Sequence, residues 1–96
     1  MFVLNVLLTI KPDADRELVL ASLKQAAKLS REEPGCLSFE ACVSEADPNF
    51  VILCERWASK QAWEEHKLAE AFTKIYQPEV LPFVDRVPHI CQLLES

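Results

Sequence analysis

Ninety-six residues, half of them hydrophobic, suffice for one domain (residues 1–96) with a real core. The net charge of −5 provides no basic face for nucleic acid and no attraction to an anionic membrane surface. Cys36, Cys42, Cys54 and Cys91 form neither a C-x-x-C pair nor a zinc spacing, so no metal site is expected, and reduced thiols in a cytoplasmic protein are.

The opening run Phe2–Ile10 reads as a strand. It is apolar enough to suggest a secretory leader, but it lacks a basic start and a small-residue cleavage site and runs straight into Lys11-Pro12-Asp13. Phe2, Leu4, Val6, Leu8 and Ile10 alternate with Val3, Asn5, Leu7 and Thr9. Both faces are apolar, so both are expected to be covered, and Asn5 is the one amide in the run. Pro12 stops the strand, and Asp13 or Asp15 is placed to cap a helix reaching about Arg31. Its buried stripe is Leu20, Leu23 and Ala27, flanked by Val19, Ala26 and Ser30. Glu33-Pro34-Gly35 ends it, and Gly35 is the one glycine of the chain.

Cys36 to Ser44 reads as a second strand, and Glu45-Ala46-Asp47-Pro48-Asn49 as the turn of a hairpin into a third, Phe50 to Trp57. Ser59 is an N-cap for a second helix, which breaks around Lys67 to Glu70 and resumes through Phe72, Ile75 and Tyr76. Pro78 and Pro82 bracket an irregular segment. Val84 to Leu94 reads as the last strand, with Pro88 marking an edge position or a bulge. The order β-α-β-β-α-β is that of a ferredoxin-like α+β fold, an antiparallel sheet with two helices on one face. The uncovered apolar face calls for a second copy of the sheet.

Glu55-x-Trp57-x-Ser59-x-x-Ala62-x-x-x-His66, preceded by Glu33-Pro34-Gly35-Cys36-x-x-Phe39-Glu40, resembles the antibiotic biosynthesis monooxygenase family from Phe2 to about Leu93. The resemblance implies a homodimer of ferredoxin-like subunits joined in a dimeric α/β-barrel. It also implies a pocket acting on a small aromatic substrate and dioxygen. Many relatives carry a second histidine shortly after the first, where this chain has Ala71. The tryptophan and later histidine of haem-degrading relatives fall here on His66 and Tyr76, so the resemblance does not extend to haem degradation.

On its residues alone, His66 is either a hydrogen-bonded helix histidine or a proton-transfer group; the resemblance selects the second. Asn5 is expected to hydrogen-bond the substrate anion or reduced oxygen. Trp57, Tyr76, Leu7, Phe39 and Phe72 are expected to line the substrate pocket. Trp63 reads as packing, His89 as structural, and Glu40 and Glu55 as carboxylates that hold strands or the dimer together. One glycine excludes a dinucleotide-binding loop. The implied activity is a cofactor-independent monooxygenase acting on a quinol or polyphenol. The alternatives are a non-catalytic small-molecule-binding or stress-associated dimeric module, and a non-redox isomerase using the same pocket. The catalytic reading requires Asn5 and His66 to face one hollow beneath Trp57.

Overall fold

In the computed structural model, which describes residues 1–95, the chain opens with β1 (Phe2–Ile10), α1 (Arg16–Arg31), β2 (Cys36–Val43) and β3 (Phe50–Trp57). It continues through α2 (Lys60–His66), a π-helical segment Ala71–Tyr76, short helical turns at Gln77–Glu79 and Leu81–Phe83, and β4 (Val84–Cys91). Ser96 lies outside the described residues. The strands form one four-stranded sheet in the order β2-β3-β1-β4, antiparallel at every pairing. This is the ferredoxin-like arrangement expected from the element order.

The two helix starts follow from their caps. Asp15 accepts a hydrogen bond from the Leu18 amide (3.2 Å), and Ser59 accepts one from the Ala62 amide (3.1 Å). Each occupies a donor that the first turn would otherwise leave unpaired. α1 buries Val19, Leu23, Ala26, Ala27 and Ser30. They pack on the sheet face made by Leu4, Val6, Leu8, Ile10, Phe39, Val51, Leu53 and Trp57, with Tyr76 and Val80 closing the core. Fully burying one of the larger of these side chains contributes about 1.5–3 kcal/mol.

Two boundaries and one helix type differ from the sequence reading. β4 ends at Cys91 rather than Leu94, because Cys91 pairs with Val3 and the partner strand runs out one residue later. β2 ends at Val43, since the Ser44 hydroxyl accepts from the amides of Ala46 (3.1 Å) and Asp47 (3.2 Å) and turns the chain. The segment after the break in the second helix is π-helical, which helical periodicity alone does not reveal. Pro88 sits on β4, an edge strand, the position expected of a proline that lacks a ladder donor.

The second sheet face carries Asn5, Leu7, Phe50, Ile52 and Cys54, all half-buried, with Thr9, Val87 and His89 exposed. No helix among the described residues is long and apolar enough to cross a membrane.

Candidate functional site

The site begins where α1 ends. Gly35 has φ +81°, the left-handed region that a side chain resists. A Cβ at Gly35 would also lie 2.6 Å from the Ala62 Cβ. Glycine therefore serves twice here: it turns the chain out of Glu33-Pro34 and lets α2 approach closely. One helical turn beyond Ala62, on the same face of α2, stands His66. The spacing Ala62-x-x-x-His66 thus becomes a geometric relation: one residue docks on Gly35 and the other meets Glu33.

His66 Nδ1 lies 2.7 Å from Glu33 Oε1, and His66 is 7% exposed. A carboxylate at Nδ1 favours the tautomer with the proton on Nδ1, which leaves the Nε2 lone pair free. The ring is caged by aromatics: its centroid is 4.6 Å from that of Trp57, 5.8 Å from Phe39 and 5.7 Å from Phe72. Burial lowers the His66 pKa from its ordinary value; the hydrogen bond and charge of Glu33 pull the other way without cancelling it. The imidazole is therefore neutral near pH 7, the form able to accept a proton.

Glu55 stands on β3 on the same sheet face as Leu53 and Trp57, and is 4% exposed. Its Oε1 accepts a hydrogen bond from Trp57 Nε1 (3.1 Å). Burial pushes its pKa up to about 7, against the pull of the Trp57 hydrogen bond and the Arg86 charge and with help from Glu33. Arg86 Nε donates to the Tyr76 hydroxyl (3.0 Å), and burial raises the tyrosine's pKa as well. Ser30, on the inner face of α1, is 1% exposed and its hydroxyl finds no partner among the described residues.

Ser30, Phe39, Glu55, His66, Tyr76 and Arg86 line one hollow of about 30 Å³. That is room for a water molecule or two, whereas a benzene-sized ring needs roughly 150 Å³. Phe72, Trp63 and Lys67 form part of its wall. Trp63 also stacks on Phe2 at 4.8 Å, the packing role expected for it, and Lys67 sits 4.0 Å over the Trp63 ring. Burial keeps the thiols of Cys36 and Cys54 protonated, so neither is a ready nucleophile. Among the described residues no three His, Cys, Asp or Glu side chains converge as a metal site.

The structure gathers His66, Phe39, Phe72 and Tyr76 around this hollow, with Trp57 packed behind His66. It does not bring Asn5 or Leu7 there. Leu4 and Val6 point toward the helices, so Asn5 and Leu7 point away from them. The Asn5 amide instead donates to Cys91 Sγ (3.4 Å) on the far face of the sheet. The expected shared hollow for Asn5 and His66 is thus corrected: the sheet lies between them, which ends the catalytic reading in the form that joined the two, and any chemistry on the helix side rests on His66 and its own neighbours. Glu33 and Ser30 are site residues that sequence reasoning passed over, and Glu55, read there as a carboxylate holding strands or the dimer together with Arg86 as a possible partner, joins them at the site. Glu55 was the most legible, as a carboxylate on the apolar alternation Val51, Leu53, Trp57.

The family model described as antibiotic biosynthesis monooxygenase matches residues 1–77. A solved antibiotic biosynthesis monooxygenase is 25% identical, with a TM-score of 0.88 over 98% of this chain and 99% of that one. A candidate antibiotic biosynthesis monooxygenase from Bacteroides thetaiotaomicron is 27% identical, with a TM-score of 0.86 over 97% of this chain and 89% of that one. Another from Nitrosomonas europaea, 23% identical with a TM-score of 0.88 over 98% and 99% of the two chains, shares the fold. No curated protein matches the chain. The match over residues 1–77 settles the family: this chain belongs to the antibiotic biosynthesis monooxygenases.

Proposed function

We propose that the chain is a cofactor-independent monooxygenase for a hydroxylated aromatic of the quinol or polyphenol class. The observation that carries this reading is the buried imidazole held at 2.7 Å by Glu33 inside an aromatic cage, in a member of this family. His66 Nε2 takes the phenolic proton, and Glu33 steadies the imidazolium that forms. The substrate anion then reduces dioxygen itself. The aromatic walls, Phe39 and Phe72 among them, keep bulk water from the anion, and Trp57 backs the imidazole from behind. One oxygen atom enters the ring and the other leaves as water, so a phenol and dioxygen give a quinone and water.

Entry of a ring requires the hollow to widen. Phe72 and Tyr76 both sit on the π-helical segment, so displacing that segment opens the wall they form. A second copy of the chain covers the sheet face bearing Leu7, Phe50 and Ile52, giving the homodimer. The test is oxygen consumption with a panel of dihydroxyarenes, with ¹⁸O₂ label followed into the product. Uptake with one labelled oxygen per product supports the reading; no uptake with any member of the panel removes it.

A hollow of about 30 Å³ favours a second reading, a binding module whose pocket admits nothing larger than a diatomic molecule or water. Failure of every aromatic to bind, by calorimetry, would select it.

A further inference from the structure

We propose that Glu55 is the general acid of the site, giving its proton to the reduced oxygen formed in the hollow while His66 acts as base. This rests on the monooxygenase reading and deepens it.

Geometry places the carboxyl where an acid is needed. Glu55 and His66 line one hollow but reach it from different elements, β3 and α2. Trp57 occupies one carboxyl oxygen of Glu55, and among the described residues the other receives no donor. The hollow, with room for a water molecule or two, suits dioxygen or the distal atom of a peroxide better than it suits a ring. Ser30 supplies an unpartnered hydroxyl to the same space. An unpaired buried hydroxyl is costly, and a bound oxygen species relieves that cost.

The surroundings push the two groups apart in the way an acid and a base require. The burial that leaves His66 neutral and able to accept lets Glu55 keep a proton to give up to about pH 7. The groups around Glu55 are Arg86 from β4, Glu33 from the turn after α1, Tyr76 and His66 from the helical side, and the thiols of Cys36 and Cys54 on neighbouring strand positions. Among the described residues Arg86 is the cation that favours the carboxylate, and it also donates to Tyr76; Lys67, on the wall of the same hollow, pairs with Glu64.

The protons and electrons balance. His66 takes the hydroxyl proton of the arene. The phenolate gives electrons to dioxygen, and a carbon–oxygen bond forms ortho or para to the original oxygen. Glu55 protonates the distal peroxide oxygen. The resulting carboxylate removes the proton from that ring carbon, the C–H pair becomes the carbonyl, and the O–O bond breaks to release hydroxide. The imidazolium of His66 turns hydroxide into water, so both side chains finish as they began.

Glu55→Gln keeps an acceptor for Trp57 Nε1 but has no proton to give. The experiment compares the pH profile of oxygen uptake for wild type and E55Q, with a dihydroxyarene that wild type consumes. The expected result is a loss of at least ~10²-fold in kcat with KM changed only a few-fold, and disappearance of the fall in rate near pH 7. Wild-type uptake that survives in E55Q with an unchanged profile overturns the role of Glu55 and leaves the oxygenase reading standing. No uptake by wild type overturns both. Should E55Q not fold, the wild-type ¹³C carboxyl resonance of Glu55 is followed on adding the redox-inert 4-cyanophenol. Movement of that resonance and of its titration midpoint supports the assignment; an unmoved resonance at saturating probe overturns it.

Discussion

His66 Nδ1 and Glu33 Oε1 meet at 2.7 Å although 33 residues separate them in the chain. A single close approach, Gly35 against Ala62, makes the meeting possible. Glu33 raises the imidazole pKa against the burial that lowers it. Glu33→Gln removes the charge and weakens the bond, so the His66 pKa should fall further. The acidic limb of the pH profile, where the base is lost to protonation, then moves to lower pH. A ¹⁵N titration of the imidazole checks the direction; an upward shift would contradict it.

Gly35→Ala adds a Cβ to a left-handed residue and drives it into Ala62. The two effects together should cost about 2–4 kcal/mol of unfolding free energy. Chemical denaturation measures this, and a change below 1 kcal/mol would show that the turn relaxes freely.

Glu55 carries a stability signature. Its pKa rises on folding from the ordinary 4.5 to about 7. Between those values the folded chain holds a proton that the unfolded chain has released, so this group's contribution to stability falls as pH rises. The loss begins near pH 4.5 and is complete near pH 7, on the order of 3 kcal/mol. Glu55→Gln removes the titration. The variant should gain stability relative to wild type across that window and hold a constant advantage above pH 7. His66 titrates in both proteins and drops out of the difference. Melting temperatures at pH 4, 6 and 8 test this; a gap that does not widen with pH would contradict it.

The sheet face opposite the helices is apolar enough to need a cover. Leu7→Glu and Ile52→Asp place charges there, away from the hollow, and should turn a dimer into a monomer without unfolding the subunit. Light scattering reads the mass, and a dimer that persists in both variants would show that another surface joins the copies.

Much of this was legible in the residues. Alternation in β1 separates Asn5 from Leu4, and the caps Asp15 and Ser59 mark both helix starts. The glycine turn and the break before Phe72 stand out too. What could not be read was which apolar face the helices cover, since β1 and β3 are apolar on both. That choice decides whether Asn5 sees His66, and the structure sets them on opposite faces. The contact between Glu33 and His66 is tertiary, and no local spacing announces it. Glu55 was read as a pairing group because a carboxylate on a strand is read first that way, whereas here it stands beside Trp57 in the core.

The most direct test of the central claim, that the chemistry sits on the helix side of the sheet, is to measure oxygen uptake by His66→Ala and Asn5→Ala with the same dihydroxyarene. The helix-side site predicts a loss of at least ~10²-fold for His66→Ala and a change of no more than a few-fold for Asn5→Ala. The reverse order, with His66→Ala near wild type and Asn5→Ala inactive, would contradict it.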